Sequence, residues 1–287
     1  MKITETGGIT AARNLAELRR ALGAWRQAGQ SVALIPTMGA LHAGHLSLIA
    51  RGKSLCDRAV ASIFVNPTQF GPNEDLSRYP RDEDGDLRKL AQAGCDLAFL
   101  PSADEMYPEG FSTSISPGPL GEILEGHFRP GHFSGVATVV TKLLLQVLPD
   151  IACFGEKDYQ QLQVIRRVTS DLNLPVRIEA VETLREVDGL AMSSRNAYLT
   201  PEQRRRAPAL HFALTEVARR ARKGDPVAAA WGTHSLLGAG FDKVDYCLVC
   251  DAETLLPVER IERKARVLAA AWLGRARLID NLPLDPP

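Results

Sequence analysis

The sequence predicts an α/β protein, a parallel sheet with crossover helices followed by a smaller α+β domain. Three observations lead there. Short apolar runs recur at residues 32–35, 60–65, 97–100, 151–154 and 176–181, each with the length of a strand buried on both faces. Segments with helical apolar spacing separate the runs, and that alternation is the pattern of parallel strands joined by crossover helices. After about Leu184 the texture changes to a polar, arginine-rich stretch and then to strands, so the division falls into residues 1–184 and residues 185–287.

Val32, Ala33, Leu34 and Ile35 form the first strand, which Pro36 ends, and Leu46, Ile49, Ala50 and Lys53 resume at helical spacing. Between them stand His42 and His45, three apart and therefore on one face at or just before the first helical turn. Backbone N–H groups at a helix start favour an anion, and Gly44 leaves no side chain between the two rings. The stretch reads as a nucleotide phosphate site.

The second run leads into Asn66-Pro67-Thr68-Gln69-Phe70 and the fourth into Gly155-Glu156-Lys157-Asp158. Ligands of open α/β sheets bind beyond the carboxyl ends of the strands, which gathers these loops and the histidine loop at one rim. Val136, Val139, Val140, Leu143, Leu144 and Val147 mark one crossover helix, and Leu162, Ile165 and Val168 mark another between Asp158 and Asp171. Further on, Met192-Ser193-Ser194-Arg195-Asn196 is a polar, basic loop. Pro201 opens a long helix through Arg204 to Arg222, and Gly224-Asp225-Pro226 punctuates it before a helix and strands at 244–249 and 267–273. The final Pro-Leu-Asp-Pro-Pro reads as a frayed tail.

Across 287 residues the 34 Lys plus Arg balance the 34 Asp plus Glu, which argues against a nucleic-acid coat or a polybasic membrane anchor. The arginine-rich helix is interrupted by Glu202 and Glu216 and carries no aromatic stacking platform, so it reads as a solvated face. No apolar stretch has bilayer-spanning length and the first ten residues lack a signal-peptide core, so the expected location is the cytoplasm. Five cysteines are an odd count without disulfide density, and reduced thiols are expected. Cys247-x-x-Cys250 has no second pair or nearby His to complete a metal set and lies in a strand-like run, so strand packing is its expected role.

Six motifs now stand in one order: Pro36-Thr37-Met38-Gly39-Ala40-Leu41-His42-Ala43-Gly44-His45, Phe64 to Phe70, Tyr79-Pro80-Arg81, Glu125-Gly126 with Arg129-Pro130-Gly131-His132-Phe133, Gly155 to Asp158, and Met192 to Asn196. With them the chain resembles, over nearly its whole length, the pantothenate synthetase family, the pantoate and β-alanine ligases of the nucleotidylyltransferase superfamily. The resemblance implies a Rossmann-like domain followed by a smaller one, usually as a homodimer. It implies condensation of pantoate with β-alanine using ATP and Mg2+, through an enzyme-bound pantoyl adenylate, with release of pyrophosphate and AMP.

Residue by residue, the resemblance makes His45, His42 and Lys157 catalytic, the histidines steadying the α-phosphate and His45 having a proton-donor role in the family. It places ATP at Met38, Gly39, Ala40, Leu41, His42, Ala43, Gly44, His45, Gly155, Glu156, Lys157, Asp158, Leu184, Met192, Ser193, Ser194 and Arg195, where the last four correspond to a phosphate-gripping loop. Asp158 suits ribose hydroxyls or a helix N-cap. Gln69 and Gln161 match amides that hold pantoate, with Met38 and Asn66 beside them. Asn66 suits an Asx-turn before Pro67 as well as ligand contact, and Met38 suits core packing equally. Arg129 is a further candidate near the phosphates. His127 and His132 have no third ligand and are not read as zinc ligands. The metal ligands stay unassigned: Asp82, Glu83 and Asp84 are candidates, but most Mg2+ contacts are expected from ATP oxygens and water.

Two rival functions remain. A nucleotidylyltransferase acting on a phosphate acceptor is disfavoured by Gln69 and Gln161, where arginines would grip such a substrate. A regulatory nucleotide-binding module is disfavoured by retention of both histidines, Lys157 and the loop at 192–195.

Overall fold

Val32, Ala33, Leu34 and Ile35 are at most 1% exposed, the burial of a central strand covered on both faces. The computed structural model describes residues 4–6, 8–72, 74 and 76–286. It divides the chain into two compact units, residues 1–156 with 161–182, and residues 157–160 with 183–287.

The first unit contains the strands β1 (Thr4–Thr6), β2 (Ile9–Ala12), β3 (Val32–Thr37), β4 (Arg58–Ile63), β5 (Leu97–Phe99), β6 (Ile151–Gly155) and β7 (Arg177–Val181). Its helices are α1 (Leu15–Gln27), α2 (Ala43–Leu55), α3 (Glu83–Gln92), α4 (Ala103–Met106), α5 (Glu125–Phe128), α6 (His132–Val147) and α7 (Tyr159–Asp171). The first two residues of α7 group with the second unit. The sheet order is β1-β2-β5-β4-β3-β6-β7, parallel throughout except for the β1–β2 pair. Alternate residues of β3 face opposite sides. Ala33 and Ile35 join Leu48 and Ile49 of α2 and Leu87 and Leu90 of α3 in one apolar cluster, while α6 packs on β3 and on α1.

The chain leaves β3 for β4 and β5 on one side and returns to β6 on the other. That reversal is the switch point at which open α/β sheets form a ligand crevice, and it lies at the carboxyl ends of β3 and β6.

The second unit contains α8 (Pro201–Arg206), α9 (Ala209–Arg222), α10 (Ala228–Gly238) and the antiparallel strands β8 (Lys243–Asp251), β9 (Ala265–Leu273) and β10 (Ala276–Leu284), in the order β10-β9-β8. Val267, Ala269, Ala271 and Leu273 of β9 turn into a core closed by Leu210, Leu214 and Val217 of α9 and Leu236 of α10. Cys247 and Cys250 are buried and free, and burial pushes both thiols up to about 12. They pack, as the strand reading expects.

Four local expectations are corrected. Pro36 does not end its strand, because β3 continues through it to Thr37, paired with β4 as Pro36↔Ser62 and Thr37↔Ile63. The helix expected through Arg222 is two helices, since the Pro208 ring lacks an N–H and breaks the ladder between α8 and α9. The tail is ordered where Pro283 and Leu284 pair with Arg266 and Ala265 of β9. The sheet of the first unit also gains β2, a sixth parallel strand too short to stand out in the hydropathy pattern.

Candidate active site

The turn after β3 is held by tertiary bonds. Thr37 Oγ1 donates to Ser62 O at 2.7 Å and accepts from Gly39 N at 3.2 Å. Gly39 and Ala40 then take φ of 81° and 50°, a region that costs Ala40 about 1–2 kcal/mol. The buried carboxylate of Asp86, on α3, offsets it. Its Oδ2 accepts from Ala40 N at 2.7 Å and its Oδ1 from Leu41 N at 2.8 Å. Lys89, one turn on, lies 3.6 Å from the same carboxylate and donates to Leu41 O at 2.8 Å. A Cβ at position 39 would be crowded, 3.0 Å from Asp86 Oδ2, and strained at this positive φ.

This turn delivers His42 to the N-cap of α2. His42 Nδ1 accepts from Gly44 N at 3.1 Å, and His45 Nδ1 accepts from His42 N at 3.3 Å, a reciprocal capping box made of two imidazoles. The ring centroids are 4.1 Å apart. A nitrogen that accepts from an N–H is unprotonated, so these bonds assign each ring's proton to Nε2. The cap therefore spends the backbone N–H groups of His42 and Gly44.

Beyond β4, Asn66 opens a single 3-10 turn, Pro67–Gln69. Its Oδ1 accepts from Thr68 N at 3.3 Å, Thr68 Oγ1 at 2.9 Å and Tyr107 Oη at 2.8 Å. Its Nδ2 donates to Gln69 Oε1 at 3.1 Å and Gly135 O at 3.2 Å. Gln69 Nε2 lies 3.0 Å from Met38 Sδ. The structure thus brings Met38, Asn66 and Gln69 together, with the Gln69 amide oriented from both ends. Gly135 of α6 permits this approach, since a Cβ there would lie 2.4 Å from Thr68 O.

Behind Gln69 stands a network that sequence reading missed. Arg129 can only donate, so its 3.1 Å bond to His132 Nε2 leaves Nδ1–H of that ring to donate to Gln69 O at 2.8 Å. Burial, and then the Arg129 charge, push His132 down to about 4. Arg129 also grips Glu74 through Nε at 2.9 Å and Nη2 at 2.5 Å. The arginine read as a phosphate candidate thus braces the Gln69 loop.

Gly155 ends β6, Glu156 begins the 3-10 turn Glu156–Asp158, and Gln161 lies in the first turn of α7, part-buried. In the second unit the Lys157 side chain is 18% exposed, with Nζ 3.5 Å from Asp158 Oδ1. The Lys157 carbonyl accepts from Asn281 Nδ2 at 2.9 Å. Leu184 O accepts from Met192 N at 3.0 Å, Ser193 Oγ accepts from Arg195 N at 3.3 Å, and Ser194 and Arg195 begin the 3-10 helix Ser194–Tyr198. Among the described residues no group of three or more His, Cys, Asp or Glu could hold a metal ion, and no helix is long and apolar enough to cross a membrane. Asp82 caps α3 by accepting from Gly85 N, and Glu83 pairs with Arg13, so two of the acids considered for Mg2+ are engaged elsewhere.

Comparison with known proteins identifies the family and the fold. The sequence profile of the family described as pantoate-beta-alanine ligase matches residues 10–283. The chain belongs to the pantoate–β-alanine ligase family. A pantothenate synthetase of Paramagnetospirillum magneticum is 62% identical over 276 residues, which cover 96% of this chain and 97% of that one. The crystal structure of pantothenate synthetase from Thermus thermophilus superposes with a TM-score of 0.91 at 48% identity, covering 96% and 99% of the two chains. A pantoate-beta-alanine ligase from Francisella tularensis, crystallised with a β,γ-ATP compound and β-alanine, has a TM-score of 0.82 at 35% identity and covers 96% and 97%. The chain is thus a ligase of pantothenate formation with a Rossmann-like parallel sheet and a smaller second unit.

Proposed function

We propose that the enzyme condenses pantoate with β-alanine in two steps at the expense of ATP. A pantoate carboxylate oxygen attacks the α-phosphorus; the new O–P bond forms as the bond to pyrophosphate breaks, giving pantoyl adenylate. The β-alanine amine then attacks the acyl carbon, the C–O bond to AMP breaks, and the nitrogen loses a proton to give pantothenate. The observation that carries this reading is the imidazole pair at the start of α2, beside the switch point, with each ring fixed by the capping box and protonated on Nε2. Such preorganised donors follow charge as it grows on phosphoryl oxygens, where catalysis is mostly positioning and electrostatics.

In this reading residues 1–184 hold ATP and pantoate, and residues 185–287 carry the phosphate loop at their start. His42 and His45 stabilise the α-phosphate, Lys157 and Arg195 supply positive charge, and Ser193 and Ser194 shape the loop around the triphosphate. Gly39 to Gly44, Gly155, Glu156, Asp158, Leu184 and Met192 complete the ATP site. Gln69 and Gln161 offer amide donors and acceptors to pantoate, supported by Met38 and Asn66. Bound Mg2+ would take its contacts mainly from ATP oxygens and water and would supply neutralisation of phosphate charge; no residue is assigned to it. The enzyme acts as a homodimer, as its family resemblance implies, and in the cytoplasm, a reducing compartment that suits its five buried free thiols.

The test uses pantoate labelled with 18O in its carboxylate. Appearance of label in the AMP phosphate, with pyrophosphate as co-product, supports the adenylate. Formation of ADP with labelled inorganic phosphate points instead to an acyl phosphate and overturns the reading.

A further inference from the structure

The second unit contains two consecutive buried polar side chains, Asp280 and Asn281, near the end of β10. Burying such groups costs desolvation that packing alone does not require, and both are spent on holding loops. Asn281 Nδ2 donates to the Lys157 carbonyl at 2.9 Å. Asp280 accepts from Arg185 Nη1 at 2.7 Å and Nη2 at 2.9 Å, and Arg185 also donates to Gly189 O at 3.0 Å. Arg185 faces Ala191 across the short ladder that leads directly into residues 192–195.

From this we infer that Asn281 is a positioning residue for Lys157, and that the Asp280–Asn281 pair braces from one strand both cationic elements of the phosphate site. The inference rests on Lys157 being an ATP ligand. Lys157 lies in a 3-10 turn, where no regular ladder fixes its backbone. Asn281 is rigid by contrast, since β10 pairs with the central strand β9 along its whole length, with Asn281 opposite Leu268. A fixed donor on the carbonyl sets where the lysine side chain starts. On the other side, His211 Nδ1 stands 3.8 Å from Asp280, and burial together with the Arg185 charge keeps that ring below its ordinary pKa. Near neutral pH Arg185 is therefore the counter-ion of Asp280 in this pair, and the 185–191 ladder is tied to β10 through it.

The experiment is a double-mutant cycle of Asn281→Ala with Lys157→Ala, read as kcat/KM for ATP and, separately, KM for pantoate. Asn281→Ala alone lowers kcat/KM for ATP about 10- to 100-fold, the range expected of a catalytic group displaced by an ångström or less, and moves the pantoate KM less than about twofold. In the Lys157→Ala background the same change costs less than about twofold. An equal cost in both backgrounds, or no cost in the parent enzyme, overturns the inference. Hydrogen exchange of the peptide spanning 156–162 reads positioning directly: it speeds up in Asn281→Ala, and unchanged exchange also overturns the inference. Normal ATP kinetics in Lys157→Ala alone refutes the phosphate role, while faster exchange in Asn281→Ala still reports the brace. Should the alanine variant lose its cooperative unfolding transition, Asn281→Leu, with the same branching and no donor, takes its place.

Discussion

Replacing Asp86 with alanine tests whether the histidine turn is held from α3. The carboxylate accepts two bonds from Ala40 N and Leu41 N at 2.7 and 2.8 Å, and it is 1% exposed. Hydrogen bonds to a charged group contribute about 1.5–3 kcal/mol each, so their sum is roughly 3–6 kcal/mol. The turn can relax once released, because Ala40 no longer has to keep φ at 50°, and this places the loss near the lower bound, about 3 kcal/mol. At about 2–4 °C per kcal/mol for a domain of this size, the first unit melts roughly 6–12 °C lower, as read by circular dichroism or calorimetry. Adenylation falls about 10- to 100-fold as His42 loses its fixed N-cap position. Adding Ala40→Gly to the variant changes stability little, since the turn no longer demands that φ, whereas in the parent the same change offsets its entropic cost by relieving strain. A melting temperature within about 1 °C of the parent refutes the clamp.

Three further outcomes are expected. Stability depends on pH through His132, whose pKa drops from 6.5 to about 4 on folding. Between those values the unfolded chain binds a proton that the folded ring refuses, so stability falls as pH drops from 6.5 and levels off below 4, by about 3 kcal/mol in all. His132→Asn keeps a donor for Gln69 O without that titration, and denaturant melts at pH 7 and pH 4 should show the parent losing about 3 kcal/mol more than the variant. Lys157→Ala slows adenylation roughly 10²- to 10³-fold, as expected for loss of one preorganised charge-stabilising donor, and rapid-quench measurement at saturating ATP checks it. Gln161→Ala raises the KM for pantoate more than that for ATP; an equal rise in both indicates a collapsed site instead.

What could be read from the sequence follows the range of the forces involved. The central strands were legible because burial on both faces writes an unbroken apolar run, as at residues 32–35. β10 was not, because it buries Asp280 and Asn281 among its apolar residues and so looks like a polar tail. The histidine pair was legible from local spacing. Its tautomers were not, because they depend on which backbone N–H each Nδ1 meets. Asp86 sits 45 residues from the amide it holds, and in sequence it is one more acid in the first turn of a helix. Only a matching demand for positive φ at Gly39 and Ala40 could have pointed to such a partner. His132 was set aside for want of a third metal ligand, whereas its ring links Arg129 to the Gln69 carbonyl. The break between α8 and α9 was open to reading, since Pro208 cannot continue a helical ladder.

The central claim is that His42 and His45 serve the phosphoryl step, where charge develops on the α-phosphate, and not the acyl transfer. His45→Ala tests it by separating the two half-reactions. The variant loses one half of the capping box, costing about 1 kcal/mol, and keeps its fold by circular dichroism. From ATP and pantoate it forms pantoyl adenylate roughly 10²- to 10³-fold more slowly. Given chemically made pantoyl adenylate and β-alanine, it produces pantothenate at a rate within a few-fold of the parent's. An equal loss in both half-reactions, with the fold intact, contradicts the account and places the histidines in the acyl transfer as well.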